Sequence, residues 1–179
     1  MTRRLRIVVI LGAGLLAALP LLAGDSENRG LSRMEREVRR EIVTLPFYSL
    51  FDHFAFRVDG DTVTLTGKVS RPTLKSDAEN VVKKIEGVAR VNNEIQVLPL
   101  SPNDNRLRLA LYQAIYGHSA LETLAVRAVP PIHIIVENGN VTLEGVVANE
   151  LQRTVAGAQA ASVPGAFSVT NNLVLEDRT

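Results

Sequence analysis

The stretch Val136–Gly145 reads Val-Glu-Asn-Gly-Asn-Val-Thr-Leu-Glu-Gly, and it has a twin 78 positions earlier. The twin, Val58–Gly67, reads Val-Asp-Gly-Asp-Thr-Val-Thr-Leu-Thr-Gly. In each copy a turn of Asp, Asn and Gly is followed by alternating Val-Thr-Leu and a closing glycine. Asn-Gly and Asp-Gly favour tight hairpins because these residue types tolerate positive φ. The stretch therefore predicts a β-hairpin that the chain uses twice.

The repeat extends well beyond the hairpin. Placing residues 58–97 on residues 136–175 without gaps gives ten identities in forty positions. The matched pairs are Val58/Val136, Val63/Val141, Thr64/Thr142, Leu65/Leu143, Gly67/Gly145, Val69/Val147, Ala78/Ala156, Gly87/Gly165, Val91/Val169 and Asn93/Asn171. A unit repeated at a fixed spacing indicates duplication of one supersecondary motif. We therefore predict two tandem domains, residues 30–98 and 101–176.

Apolar periodicity sets the order of elements within the first copy. A helix is predicted from apolar residues that recur at helical spacing, namely Leu31, Met34, Val38, Ile42 and Leu45. Strands are predicted near 54–58, 63–69 and 88–97, and a second helix near 73–85. The prediction is an α-β-β-α-β unit of the α+β class, in which two helices back a three-stranded mixed sheet.

The second copy repeats this order with one difference. Strands are predicted near 132–136, 141–147 and 166–175, and helices at Asn105–His118 and Glu150–Val163. The segment Leu121–Pro131 carries an insertion of about nine residues relative to the first copy. Six glycines at turns and strand ends are predicted to define the fold: Gly60, Gly67, Gly87, Gly139, Gly145 and Gly165.

Residues 1–24 have the layout of an export signal. A cationic start with three arginines precedes an apolar run, Ile7–Ala23. We expect cleavage near Gly24 or Asp25 and a periplasmic or otherwise exported protein. The alternative is an uncleaved anchor in the inner membrane, since a run of this length lies at the short end of membrane-spanning helices.

Charge and cysteine content exclude several classes of protein. The full chain has a net charge of +1, and without the leader arginines Arg3, Arg4 and Arg6 it has 17 basic against 19 acidic residues. A nucleic-acid binder that relies on a broad basic surface is therefore excluded. The chain has no cysteine, which excludes a disulfide framework and thiol catalysis.

The residues that carry chemistry form no catalytic pattern. The histidines His53, His118 and His133 lack metal-ligand spacing, and neither a nucleophile elbow nor a phosphate-binding loop is present. We predict a protein that is not an enzyme and that needs no metal or cofactor. His133 lies between Ile132 and Ile134, so we expect it to project, solvated, from the polar face of its strand.

Two features near the start of the first copy allow alternative interpretations. Arg36 and Arg40 lie on the polar face of the first helix, either as contacts for anionic headgroups or as part of a solvated face with pairs such as Glu35–Arg39. The aromatic residues of 47–51 either close the core of the domain or remain exposed. Burial is favoured because aromatic side chains carry the largest apolar area.

The helix Asn105–His118 is apolar over more than half of its circumference, which is more than one core requires. Its apolar excess is expected to face the first domain, a second chain or a bilayer. Leu109, Tyr112 and Tyr116 lie on one edge of this arc and are the candidate lipid or partner contacts. Packing is favoured over lipid, because Arg108 is the only cation within the arc to meet a headgroup.

Together, both copies resemble the BON domain family (bacterial OsmY and nodulation). The resemblance rests on the two hairpin stretches and on the segments Gly-Val-Ala-Arg-Val-Asn-Asn-Glu-Ile from Gly87 and Gly-Ala-Phe-Ser-Val-Thr-Asn-Asn-Leu from Gly165. It implies an α-β-β-α-β fold and an exported, non-enzymatic module associated with envelope stress and phospholipid binding. The second copy is not basic, with 5 Lys and Arg against 7 Asp and Glu from Pro99 onward, which argues against charge-driven lipid binding by this copy.

The sequence therefore predicts two alternative functions. The first is an exported, membrane-associated binding module of the cell envelope, linked to envelope or osmotic stress, whose partner is phospholipid or an envelope protein. The alternative is a structural scaffold or chaperone-like module whose second-domain helix packs against the first domain or another chain. The oligomeric state stays open.

Overall fold

A computed structural model describes residues 9–10, 33–127 and 129–176. Its first half contains β1 (Val9–Ile10), α1 (Arg33–Val43), β2 (His53–Asp59), β3 (Thr62–Val69), α2 (Pro72–Val82), β4 (Arg90–Asn93) and β5 (Gln96–Val97). Its second half contains α3 (Pro102–Tyr116), α4 (Glu122–Ala125), β6 (Ile132–Glu137), β7 (Asn140–Val147), α5 (Glu150–Ser162), β8 (Ser168–Asn171) and β9 (Val174–Leu175). The predicted leader, apart from β1, lies outside the described residues.

The two halves share one sheet topology, which confirms the predicted α+β class with two repeated units. β2 pairs antiparallel with β3, and β3 pairs in parallel with β4 and β5. In the second half β6, β7, β8 and β9 repeat this arrangement. β1 adds one further antiparallel strand to the outer edge of β2. Each unit is therefore a mixed sheet, and the first one carries an extra edge strand.

The glycine that closes each hairpin stretch is required by the neighbouring strand. Gly67 and Gly145 have φ values of 120° and 127°. A Cβ atom at Gly67 would lie 2.1 Å from the carbonyl oxygen of His53, and one at Gly145 would lie 1.9 Å from that of Pro131. No side chain fits at either position. The other four predicted glycines also have positive φ.

A repeated asparagine explains why the third strand of each unit is split in two. Asn93 donates from Nδ2 to the carbonyl oxygen of Lys75 on α2 at 2.9 Å. Asn171 does the same to Arg153 on α5 at 2.8 Å. In each unit the Oδ1 atom accepts the backbone N–H two residues later, at 3.2 Å. The asparagine thus ties the helix to the interruption between β4 and β5, and between β8 and β9.

Each unit has its own apolar core, and the second core corrects one prediction. The insertion forms α4, and its Leu121 and Leu124 are buried in the second core. Of the apolar residues on α3, all but Leu109 are buried or packed against that same core. The wide apolar arc of α3 is therefore covered largely by its own domain, because the inserted helix and the small side chains of α5 lie against it.

Candidate binding surfaces of the two domains

The three residues predicted to form one contact edge on α3 have different environments. Leu109 is 58% exposed. Tyr112 is half-buried against the second core, and its ring centroid lies 5.4 Å from that of Tyr116. Tyr116 itself is only 4% exposed. Of the three, Leu109 alone presents most of its side chain to a ligand.

Tyr116 is a structural residue, which corrects its assignment as a direct contact. Its hydroxyl donates to the carbonyl oxygen of Ile132 at 2.7 Å and accepts the N–H of the same residue at 3.0 Å. Burial raises the pKa of this hydroxyl above its ordinary value. Because both backbone groups of Ile132 point away from β7, Tyr116 closes the outer edge of β6.

Arg108 and Asp104 fasten α3 to the hairpin between β6 and β7. The Asp104 carboxylate accepts the N–H groups of Asn138 and Gly139, each at 2.9 Å. Arg108 donates from Nη2 to the carbonyl oxygen of Val136 at 2.7 Å, and burial lowers its pKa. Arg108 is therefore committed to β6 and does not point towards a headgroup.

A groove of about 620 Å³ opens at this end of the second domain, between α3, the hairpin and the turn before β8. Its walls include Leu107, Ala110, Arg106 and Phe167. Phe167 is 82% exposed. Its ring rests on Gly139, where an added Cβ would lie 2.6 Å from Cδ2 of the ring. Leu109 follows the exposed Arg106 by one helical turn, so apolar and cationic groups lie side by side.

Sequence reasoning placed Phe167 at the start of the last strand and did not single out Arg106. A signal for Phe167 was present in the repeat. The equivalent position of the first copy is Ala89, and both residues donate their backbone N–H to the hairpin, Ala89 to Asp61 at 2.8 Å and Phe167 to Gly139 at 2.9 Å. Because the backbone hydrogen bond at this position does not require a large side chain, an exposed phenylalanine here indicates an interaction site.

The arginine face of α1 is interleaved with acidic groups. Arg36 and Arg40 are exposed, as expected. Arg40 lines a groove in which Arg33 pairs with Glu37 at 3.0 Å and with Glu86 at 3.3 Å. Alternating charges of this kind cancel much of the attraction for an anionic surface. The geometry favours the solvated interpretation of this face.

The two domains meet where the segment before β2 lies against β6. The carbonyl oxygen of Leu50 accepts the N–H of Ile134 at 2.7 Å, and Leu50 and Phe51 pack against the second core. Lys68 and Glu137 form an ion pair across the same boundary. Of the aromatic residues predicted to close the first core, Tyr48 packs against it, Phe51 packs against the second core instead, and Phe47 is exposed beneath the Arg71 guanidinium.

Asp52 holds this segment in place and was not identified from the sequence. Its carboxylate is fully buried and accepts four hydrogen bonds. Two come from Ser49, from N at 3.1 Å and Oγ at 2.7 Å. Two come from Ser70, from N at 2.6 Å and Oγ at 2.8 Å. The loop that reaches the second domain is thereby anchored to the end of β3.

The predicted solvation of His133 is wrong. Its side chain does project from the face of β6 opposite the second core, but it is 0% exposed because the first domain covers it. The ring stacks on Tyr48 with centroids 5.8 Å apart, and the centroid of His53 lies 6.0 Å away. Burial lowers the pKa of His133 to about 4, and the adjacent His53 adds to this effect. Burial also lowers the pKa of His53.

A polar cleft of about 330 Å³ lies beside this histidine pair, between the two sheets. His53, Lys68 and Glu94 line it from the first domain, and Thr142 and Glu144 from the second. In the part of the chain that the structure describes, no group of three or more His, Asp or Glu side chains is arranged to hold a metal ion. The described helices also include none with the length and apolarity needed to span a bilayer.

Comparison with known proteins identifies a family. The family model described as the BON domain matches residues 33–99 and 104–177. Two solved structures of CdsD, a structural protein of the type III secretion system of Chlamydia trachomatis, are similar. One, its C-terminal domain, has 16% identity, covers 83% of this chain and all of that chain, with a TM-score of 0.29. The other has 17% identity, covers 79% of this chain and 91% of that chain, with a TM-score of 0.28. No curated protein sequence matches the chain.

Proposed function

The chain belongs to the BON domain family, and from that premise we propose that it is an exported binding module of the cell envelope that associates with phospholipid membranes. BON domains are generally non-catalytic binding modules. The observation that carries the proposal is the groove at the end of the second domain, which the exposed Phe167 lines together with Arg106, while the exposed Leu109 lies one helical turn after Arg106 on α3. Large apolar side chains grouped on a surface mark interaction sites more often than scattered ones do.

This surface suits shallow insertion into the headgroup region. Phe167 and Leu109 would each lose water-exposed apolar area on entering a bilayer, which stabilises the bound state by about 1.5–3 kcal/mol for a fully transferred side chain. Arg106 would add about 1 kcal/mol with anionic lipid. Since Arg108 is committed to Val136, binding would depend more on apolar insertion than on charge.

Flotation with vesicles tests this proposal. The leaderless chain is mixed with neutral phosphatidylcholine vesicles and with vesicles containing phosphatidylglycerol, and the floating fraction is measured. We expect Phe167→Ala with Leu109→Ala to weaken partitioning by at least tenfold on both vesicles, because each removes insertable area. Arg106→Gln is expected to weaken binding severalfold on anionic vesicles alone.

Leu151→Ala is the matched control, because Leu151 is about as exposed as Leu109 but lies on α5 of the same domain. It should float like the wild type. If the Phe167/Leu109 double variant also floats like the wild type, the proposed lipid surface is wrong. If the double variant instead changes the oligomeric state measured by light scattering, the alternative scaffold function is supported and the same surface binds protein.

A further inference from the structure

The contact between the domains places two histidines next to each other, one from each domain. His53 opens β2 and His133 lies on β6, with ring centroids 6.0 Å apart in an edge-on arrangement. Tyr48 covers the other side of the His133 ring. Neither nitrogen of His133 makes a hydrogen bond of standard geometry, and Nδ1 of His53 also lacks one. The His133 ring is therefore packed as a neutral, apolar group, while His53 also lines the polar cleft.

Burial of this pair outweighs the groups that favour a positive charge, which include the backbone of Ser49 and Asp52 beside His133. Asp52 lies next to the pair, but its carboxylate already accepts four hydrogen bonds from Ser49 and Ser70. Glu144 on β7 favours the charged form of His53. Lys68 on β3 is a further cation at the boundary, although Glu137 pairs with it. Glu94 lines the cleft beside His53 and does not reach the buried His133 face.

We propose that this histidine pair is an acid-responsive latch, in which protonation of His53 and His133 separates the two domains while each domain stays folded. His53 lines the polar cleft and receives its proton from there, with Glu144 opposite. A second proton on His133 places two like charges in a dry contact between the domains. Two cations at this separation in a medium of low dielectric repel strongly.

The sign of the pH dependence follows from the neutral, buried state of both rings. Burial at the contact lowers the pKa of His133 from its ordinary 6.5 to about 4 and lowers that of His53 in the same direction, so both would return towards the ordinary value on separation. Docking is therefore fully favourable above about pH 6.5 and is lost progressively as pH falls towards 4. For His133 alone, the docking equilibrium is expected to weaken about 15-fold between pH 6.5 and pH 5.

Separation would uncover a defined surface. Leu50 and Phe51 would leave the second core, and the N–H of Ile134 would lose its acceptor, the carbonyl oxygen of Leu50. The outer edge of β6 would then carry a free donor between the groups held by Tyr116 and Arg108. The latch therefore controls the accessibility of both an apolar loop and a strand edge.

The Ile134 amide reports on the latch directly. Hydrogen exchange of this amide is measured by NMR on the whole chain at several pH values, and the rates are corrected for intrinsic exchange. We expect its protection to fall about 15-fold from pH 6.5 to pH 5. The amides of Leu65 and Leu143, inside the two sheets, should keep their protection, which shows that both domains remain folded.

Three variants make the test specific. His133→Phe, which cannot be charged, should keep Ile134 protected at pH 5. His53→Gln should move the loss to lower pH, because His133 then has no like-charged neighbour. His118→Asn is the matched control, because His118 lies after α3 and accepts the N–H of Ala120, and it should behave like the wild type. Constant protection of Ile134 in the wild type, equal loss in His133→Phe, or simultaneous loss at Leu65 and Leu143 would each overturn the proposal.

Discussion

The first helices of the two domains, α1 and α3, both pack against a mixed sheet, but they bury different sets of side chains. α1 has 11 residues, of which Val38 and Ile42 are buried. α3 has 15 residues, six of them buried, including the charged Asp104 and Arg108. Both helices cover the same kind of sheet. The extra apolar area of α3 is matched by the inserted α4 and by α5, so a wide apolar arc on a helix does not by itself require a second molecule.

The largest expected effect tests what the domains share. Gly145→Ala and Gly67→Ala should each destabilise the protein by about 3 kcal/mol or more, because the new Cβ would clash with a backbone oxygen and adopt a strained φ. Gly60→Ala is the control, since nothing lies within 4 Å of a Cβ there, and about 1–2 kcal/mol of strain is expected. Urea unfolding measures all three. Equal losses for Gly60 and Gly145 would contradict the shared requirement.

A smaller effect tests how the domains differ. Asp104→Ala leaves the N–H groups of Asn138 and Gly139 without acceptors, which should cost the second domain about 2–3 kcal/mol. Asp52→Ala should act mainly on the first domain and on docking, because its partners are Ser49 and Ser70. Exchange of amides in each sheet separates the two results. Asp59→Ala, at an exposed site, should change neither, and a uniform loss across both sheets after Asp104→Ala would refute domain-specific anchoring.

The smallest effect concerns one hydroxyl. Tyr116→Phe removes both hydrogen bonds to Ile132 but keeps the ring in the core, so a loss of about 1–2 kcal/mol is expected. Tyr112→Phe changes a half-buried tyrosine of the same helix and should cost less. Thermal unfolding followed by circular dichroism compares them. A larger loss for Tyr112 would mean that Tyr116 does not close the edge of β6.

Much of the fold could be predicted from the sequence because the repeat makes the pattern visible twice. The hairpins, the strand positions and the six glycines depend on local backbone geometry, which Asn-Gly, Asp-Gly and alternating valines encode over a few residues. Asn93 and Asn171 were visible as identities, but their role depends on the carbonyl groups of α2 and α5, which no local pattern shows.

The surfaces were less predictable because they depend on contacts between distant parts of the chain. Alternation correctly placed His133 on the face opposite the core of β6, but it could not show that residues 48–53 cover that face. Similarly, Tyr116 lies on the predicted edge of α3, yet the start of β6 buries it. The exposure of a side chain depends on tertiary contacts. Periodicity therefore identifies the face of a strand or helix on which a residue lies, but not the segment that packs against that face.

The clasp of Asp104 on the Asn138–Gly139 turn has a consequence for chemical ageing. Asn-Gly pairs are prone to deamidation, in which the glycine nitrogen attacks the asparagine side chain. Here that nitrogen donates its hydrogen to Asp104, and the turn is held with positive φ at both residues. We expect isoaspartate to form at this site only while the second domain is open. The isoaspartate content at position 138 in an aged sample would therefore record the cumulative time that the second domain has spent unfolded.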